Sequence, residues 1–151
     1  MGYAVQRQRG MDDRARTLRA RGSDWSRRGQ SLAELAIAFP LLLLLVAGVL
    51  DLAHAFSVAG VLQNAVREGA RFGATQPSES DTIKNRVVEE AAGAPLTLNT
   101  GEVTITFPDG GGMDSGDSIT VTATHQVDLI LSAALGLPNP TIARSATMVI
   151  F

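Results

Sequence analysis

The sequence predicts an α+β protein: a long N-terminal helix, apolar and then amphipathic, followed by a small outer domain on an antiparallel sheet. Three observations carry this. Residues 35–50, LAIAFPLLLLLVAGVL, hold no charged or strongly polar side chain. Val58, Leu62, Ala65, Gly69 and Phe72 then recur at steps of 4, 3, 4 and 3, a helical stripe. Beyond residue 100, three threonine-rich runs alternate apolar and polar positions, as half-covered strands do. A length of 151 residues sets the scale of one domain.

The charges divide unevenly along the chain. Residues 1–28 carry eight arginines against three aspartates, a net +5, and residues 29–151 carry five basic against twelve acidic residues, a net −7. A basic head on an acidic body points to two environments. The head has no aromatic interleaving beyond Tyr3 and Trp25, so a topology signal explains it better than nucleic-acid binding. With no cysteine, disulfides, zinc ribbons, thiol catalysis and Fe–S chemistry are excluded. Two histidines, His54 and His125, make an all-histidine metal site improbable.

The uncharged run, from Leu35 through Pro40 and Leu45 to Leu50, spans sixteen residues, roughly 24 Å of helix against a hydrocarbon core of about 30 Å. Residues 31–34 and 52–56 extend it to a full crossing, with Asp51 at an interface. Five consecutive leucines, 41–45, leave no polar face, which argues against the core helix of a soluble domain. Pro40 is expected to kink or loosen the helix. Arg27 and Arg28 stand eight and seven residues ahead of Leu35, and the other six arginines 14–28 residues ahead of it, an excess of positive charge that predicts a cytoplasmic N-terminus and a translocated C-terminus.

Ahead of the run stands Arg27-Arg28-Gly29-Gln30-Ser31-Leu32-Ala33-Glu34-Leu35. This segment resembles the class III leader of type IV pilins and pseudopilins, in which a peptidase cuts after a glycine and a glutamate follows five residues on. The longer stretch RRGQSLAELAIAFPLLLLLVAGVLDLAHAFSVAGVLQNAVREGARFGA resembles the TadE-like pseudopilins of the tight-adherence (Tad/Flp) pilus system. The resemblance is close over residues 27–74 and only general beyond. Leu35 stands where an aromatic often follows the glutamate, and Gln30 where classical type IV pilins present phenylalanine. It implies a pilin-like arrangement, cleavage between Gly29 and Gln30 by a prepilin peptidase, an assembly role for Glu34, and partners among other pilins, pseudopilins and Tad secretion components. No enzyme activity and no cofactor is implied.

Elementary physics gives Glu34 a reason of its own. An unpaired carboxylate at the head of a membrane helix costs a few kcal/mol on insertion scales. A cut after Gly29 creates an α-ammonium on Gln30, about one helical turn away, that can neutralise it. Two competing signals remain. Ser26-Arg27-Arg28 resembles part of a twin-arginine signal, and Ala53-His54-Ala55 is an A-x-A site whose use would release a soluble protein starting at Phe56.

Past Asp51 the helix becomes amphipathic. Gln63, Asn64, Arg67, Glu68 and Arg71 fill its polar side, with Glu68 and Arg71 spaced to pair. Ala65, Gly69 and Gly73 form a ladder of small residues that permits close approach, either by another subunit or by the protein's own sheet. Pro77 is expected to end this helix. Ser80 or Asp81 can cap a second helix over 81–92, with Ile83, Val87 and Val88 inward and Gly93 and Pro95 as stops. Strands are expected at 102–107, 118–127 and 141–150, the first two joined by a long glycine-rich loop. Residues 129–137 read as a short helix or an exposed apolar edge, a plausible docking surface.

Chemical motifs are sparse. Asp109, Asp114 and Asp117 lie in the glycine-rich loop, but their spacing fits no standard calcium loop. Asp51 and His54 are spaced to pair near a membrane surface. The expected organisation is a basic cytoplasmic leader (1–29), a transmembrane and amphipathic helix (30–75) and an extracytoplasmic α+β domain (76–151). The expected function is that of a single-pass pseudopilin-like subunit in the cell membrane. The alternatives are an uncleaved single-pass scaffold of the secretion apparatus and a secreted binding protein cut after Ala55.

Overall fold

A computed structural model describes residues 3–94, 96–108, 110 and 112–151, with side chains described from residue 29 onward. Helix α1 runs Tyr3–Gly73, α2 runs Ser80–Ala91 and α3 runs Ile130–Leu135, with strands β1 (Val103–Thr106), β2 (Ser118–Gln126) and β3 (Thr141–Val149). The chain forms two compact units, Met1–Val46 and Ala47–Phe151. Within the first, α1 continues through Pro40: the ring withdraws only the donor that would serve the Ala36 carbonyl, and the remaining ladder carries the helix across.

The core of the second unit is the buried stripe of α1. Val58, Leu62, Ala65, Val66 and Ala70, with Ala74 just past the helix end, are sealed against Ile83, Val87 and Ala91 of α2 and Ile119, Val121 and Ala123 of β2. The period of 3.6 on the helices meets the period of 2 on the strands, so each element offers one apolar face to the same core. Arg86 of α2 adds a cation–π contact to α1, its guanidinium 5.6 Å from the centre of the Phe72 ring.

The sheet is antiparallel throughout, in the order β1-β2-β3. Val103 pairs with Ala123 and Ile105 with Val121, which puts the apolar side chains of β1 and β2 on one covered face. Ile119 pairs with Met148 and Val121 with Ala146, so β3 continues that face. Threonines occupy the other side, where Thr120 Oγ1 and Thr147 Oγ1 pair across strands at 2.7 Å.

Element ends differ from the sequence expectation in instructive ways. Helix α1 stops at Gly73, ahead of Pro77, because the Thr75 N–H, Gln76 N–H and Thr75 hydroxyl all turn back to the Phe72 carbonyl. Helix α2 is entered from Glu79, whose side chain makes no capping bond, and neither Ser80 nor Asp81 is its cap. Asp81 instead sits in the first turn, where the helix dipole favours an anion. Pro95, expected as a stop for α2, lies outside the described residues; Gly93 is described, turning at φ +88. Glu102 is not a strand residue. It closes a single 3-10 turn, Thr100–Glu102, through a capping box in which it accepts the Asn99 N–H at 2.8 Å. Residues 129–137 contain α3, Ile130–Leu135, closed by Gly136 in the left-handed region (φ 65) and by Leu137 N–H donating to the Ser132 carbonyl.

Candidate functional site

The chemistry-bearing residues of the first unit lie at the start of the apolar helix. Every residue from 29 to 46 is exposed, including Leu35, Pro40 and Leu45. Gly29–Gly73 holds the one stretch, among the described residues, long and apolar enough to cross a membrane, with a mean hydropathy of 2.6 and 6% of its apolar window buried. Exposed leucine over consecutive turns is unfavourable in water, by about 1.5–3 kcal/mol per side chain relative to burial. The segment therefore needs an apolar surround that the chain itself does not supply.

Gly29 and Gln30 are both exposed, and a Cβ built on Gly29 meets nothing within 4 Å. Gln30 Nε2 donates to Glu34 Oε1 at 3.0 Å, so positions 30 and 34 stack one turn apart on one side of the helix. The side chains of Arg27 and Arg28 lie outside the described residues.

In the second unit, Ala65, Gly69 and Gly73 face inward. A Cβ on Gly69 would run into Cγ2 of Val87, and one on Gly73 would stand 2.6 Å from Cδ1 of Ile119. The ladder lets α2 and β2 approach the α1 backbone. Glu68 and Arg71 form the expected pair on the opposite side, Arg71 donating through Nε at 2.9 Å and through Nη2 at 2.7 Å. The Arg71 hydrogen bonds hold the Glu68 carboxyl below its ordinary range, against the smaller opposing effect of burial.

Asp51 has a different partner from the one expected. The residue is 6% exposed, and its carboxylate accepts the Ile130 N–H through Oδ1 and the Leu131 N–H through Oδ2, each at 2.8 Å. These are the first two donors of α3, which that helix cannot satisfy internally. Gly48, one turn earlier, also lies beside α3, its Cβ position in ordinary contact with Leu131 Cδ1 at 3.5 Å. His54 does not pair with Asp51. It lines an open cleft of about 470 Å³ with Ala94, Leu96, His125 and Asp128.

His125 Nδ1 lies 2.9 Å from Glu102 Oε1, a half-buried pair. Burial works to raise the Glu102 pKa, but the Asn99 N–H, the His125 contact and the Asn99 amide outweigh it, and the net shift is downward. Nothing in the local sequence pattern pairs Glu102 with His125, since they meet only through the β1–β2 register. Among the described residues no group of three histidine, aspartate or glutamate side chains converges to hold a metal ion. Asp109 lies outside the described residues. Asp114 and Asp117 serve the turn itself, Asp114 N–H donating to Asp117 Oδ2 at 3.0 Å.

No curated protein and no solved structure matches the chain. A family match exists where the apolar helix begins and runs into the buried stripe: residues 29–71 match the sequence model of a family described as TadE-like protein. The match starts at Gly29, covers Glu34 and the whole uncharged run, and ends at the Glu68–Arg71 pair. From residue 29 to residue 71, this chain is similar to the TadE-like family.

Proposed function

We propose that the protein is a pseudopilin-like structural subunit of a tight-adherence type IV pilus or secretion system. It is made as a precursor anchored by residues 35–50, with its N-terminus in the cytoplasm, and a prepilin peptidase cuts it between Gly29 and Gln30. The role is structural, without catalysis or a cofactor, and the partners are other pilins, pseudopilins and Tad secretion components. The observation that carries this reading is the TadE-like match beginning at Gly29 on a helix whose residues 29–46 are all exposed.

Mechanistically, cleavage converts the residue 30 nitrogen into an α-ammonium. Gln30 already bonds to Glu34, so the new cation forms where it can neutralise that carboxylate, on its own helix or on a neighbour's. Stacked apolar helices slide past one another at little cost, because leucine against leucine is much the same at any register. An ion pair at one level in an apolar surround fixes the register, since the mispaired state leaves a charge unsatisfied. Support against the cut after Ala55 comes from Asp51: that cut would remove the carboxylate that holds α3. The test is Glu34→Ala in the native host. Membrane insertion is expected to persist while assembly or adherence is lost, and full assembly would overturn the reading.

A further inference from the structure

We propose that α3 and the turn after it lie in the interfacial layer of the bilayer, at the end of the apolar helix where the second unit begins. The occupant of this surface is lipid. The inference rests on the reading that residues 35–50 cross the membrane, and it assigns a second membrane contact, far away in sequence.

The first support is a length mismatch. Sixteen uncharged residues supply roughly 24 Å of the ~30 Å that a hydrocarbon core requires. The missing length comes from the flanking residues 31–34 and 52–56, which leaves Asp51 close to the hydrocarbon boundary. A bare carboxylate there is unfavourable, but both Asp51 oxygens accept backbone N–H groups of α3. The hydrogen bonds that make this depth tolerable for Asp51 also fix α3 at the same depth.

The second support is the surface α3 presents. Residues 129–140 contain no charged side chain. Ile130, Leu135 and Leu137 are 54%, 58% and 56% exposed, and Leu52 and Phe56 on the adjoining turns of α1 are exposed as well. Water-facing leucines of this kind are costly on an isolated outer domain. At the level of Asp51 they meet lipid acyl chains, and they lengthen the apolar band where α1 alone runs short.

The absence of cysteine allows a direct test. Leu43→Cys, Leu135→Cys and Thr124→Cys are made separately in the full chain, labelled with the fluorophore NBD and reconstituted into phosphatidylcholine–phosphatidylglycerol vesicles containing 5-doxyl lipid. Blue-shifted emission and quenching are expected at positions 43 and 135, with neither at position 124 on the threonine face. Quenching at 43 with water-like emission at 135 overturns the inference and leaves the membrane crossing intact. A signal at 135 that vanishes as the lipid-to-protein ratio rises identifies a second copy of the chain as the occupant, and also overturns it. No quenching at 43 removes the crossing and the inference together.

Discussion

Asp51 and Ile130 stand 79 positions apart, and the carboxylate of the first accepts the backbone N–H of the second at 2.8 Å. With the parallel bond to Leu131, this makes one side chain of the long helix the cap of a helix near the other end of the chain. The cap is supplied in trans because Leu129, at the capping position of α3, has no polar atom to offer.

Replacing that side chain tests the clamp. Asp51→Ala leaves two helix-start donors without their acceptor, and the expected loss of stability is about 1–3 kcal/mol. Hydrogen–deuterium exchange should localise the effect, with faster exchange at Ile130 and Leu131 and unchanged protection in β2. Equal protection at α3 in the variant and the parent would show that the clamp is not needed.

The glycines of α1 should respond in opposite directions. Gly69→Ala pushes a methyl into Val87, a stiff, fully buried side chain, and is expected to cost about 1–3 kcal/mol through overpacking. Gly60 is exposed with nothing within 4 Å of its Cβ position, so Gly60→Ala should stabilise the helix by up to about 1 kcal/mol. Thermal unfolding of the two variants in detergent, followed by circular dichroism, separates a ladder that packs on its own domain from one that is indifferent to size.

Acid should loosen the turn ahead of β1. The Glu102 pKa is lowered in the folded state, so its ionised form contributes stability above the ordinary glutamate range, about 4.3. That contribution disappears as the pH falls from there through the folded-state value. Glu102→Gln should therefore be less stable than the parent at pH 7 and lose less on acidification. Unfolding curves between about pH 6 and pH 3 check the sign, and parallel pH dependence in both proteins would contradict it.

Much of the fold was legible in the sequence because its signals are local. The stripe Val58–Leu62–Ala65–Gly69–Phe72 and the alternation in β2 are read within a few residues, and each faces the core as its period requires. The ends of elements were less legible, since they turn on competition for single acceptors such as the Phe72 carbonyl. The partner of Asp51 was not legible at all. Its spacing to His54 suggested a local pair, but two backbone donors from residues 130 and 131 won, and no pattern around position 51 announces them. The Glu102–His125 contact was hidden for the same reason, being a product of strand register.

Recognition of the leader can be separated from folding. Gly29 is exposed with open space at its Cβ position, so Gly29→Phe is expected to leave insertion and the second unit unchanged while blocking processing. Immunoblots of membranes should show the variant only at precursor size. A Gly29→Phe chain processed like the parent would remove the leader assignment.

The central claim is tested most directly by the intact mass and N-terminal sequence of the protein recovered from its native membrane. The account predicts a chain that begins at Gln30. A chain that begins at Phe56, or one that retains Met1, would contradict it.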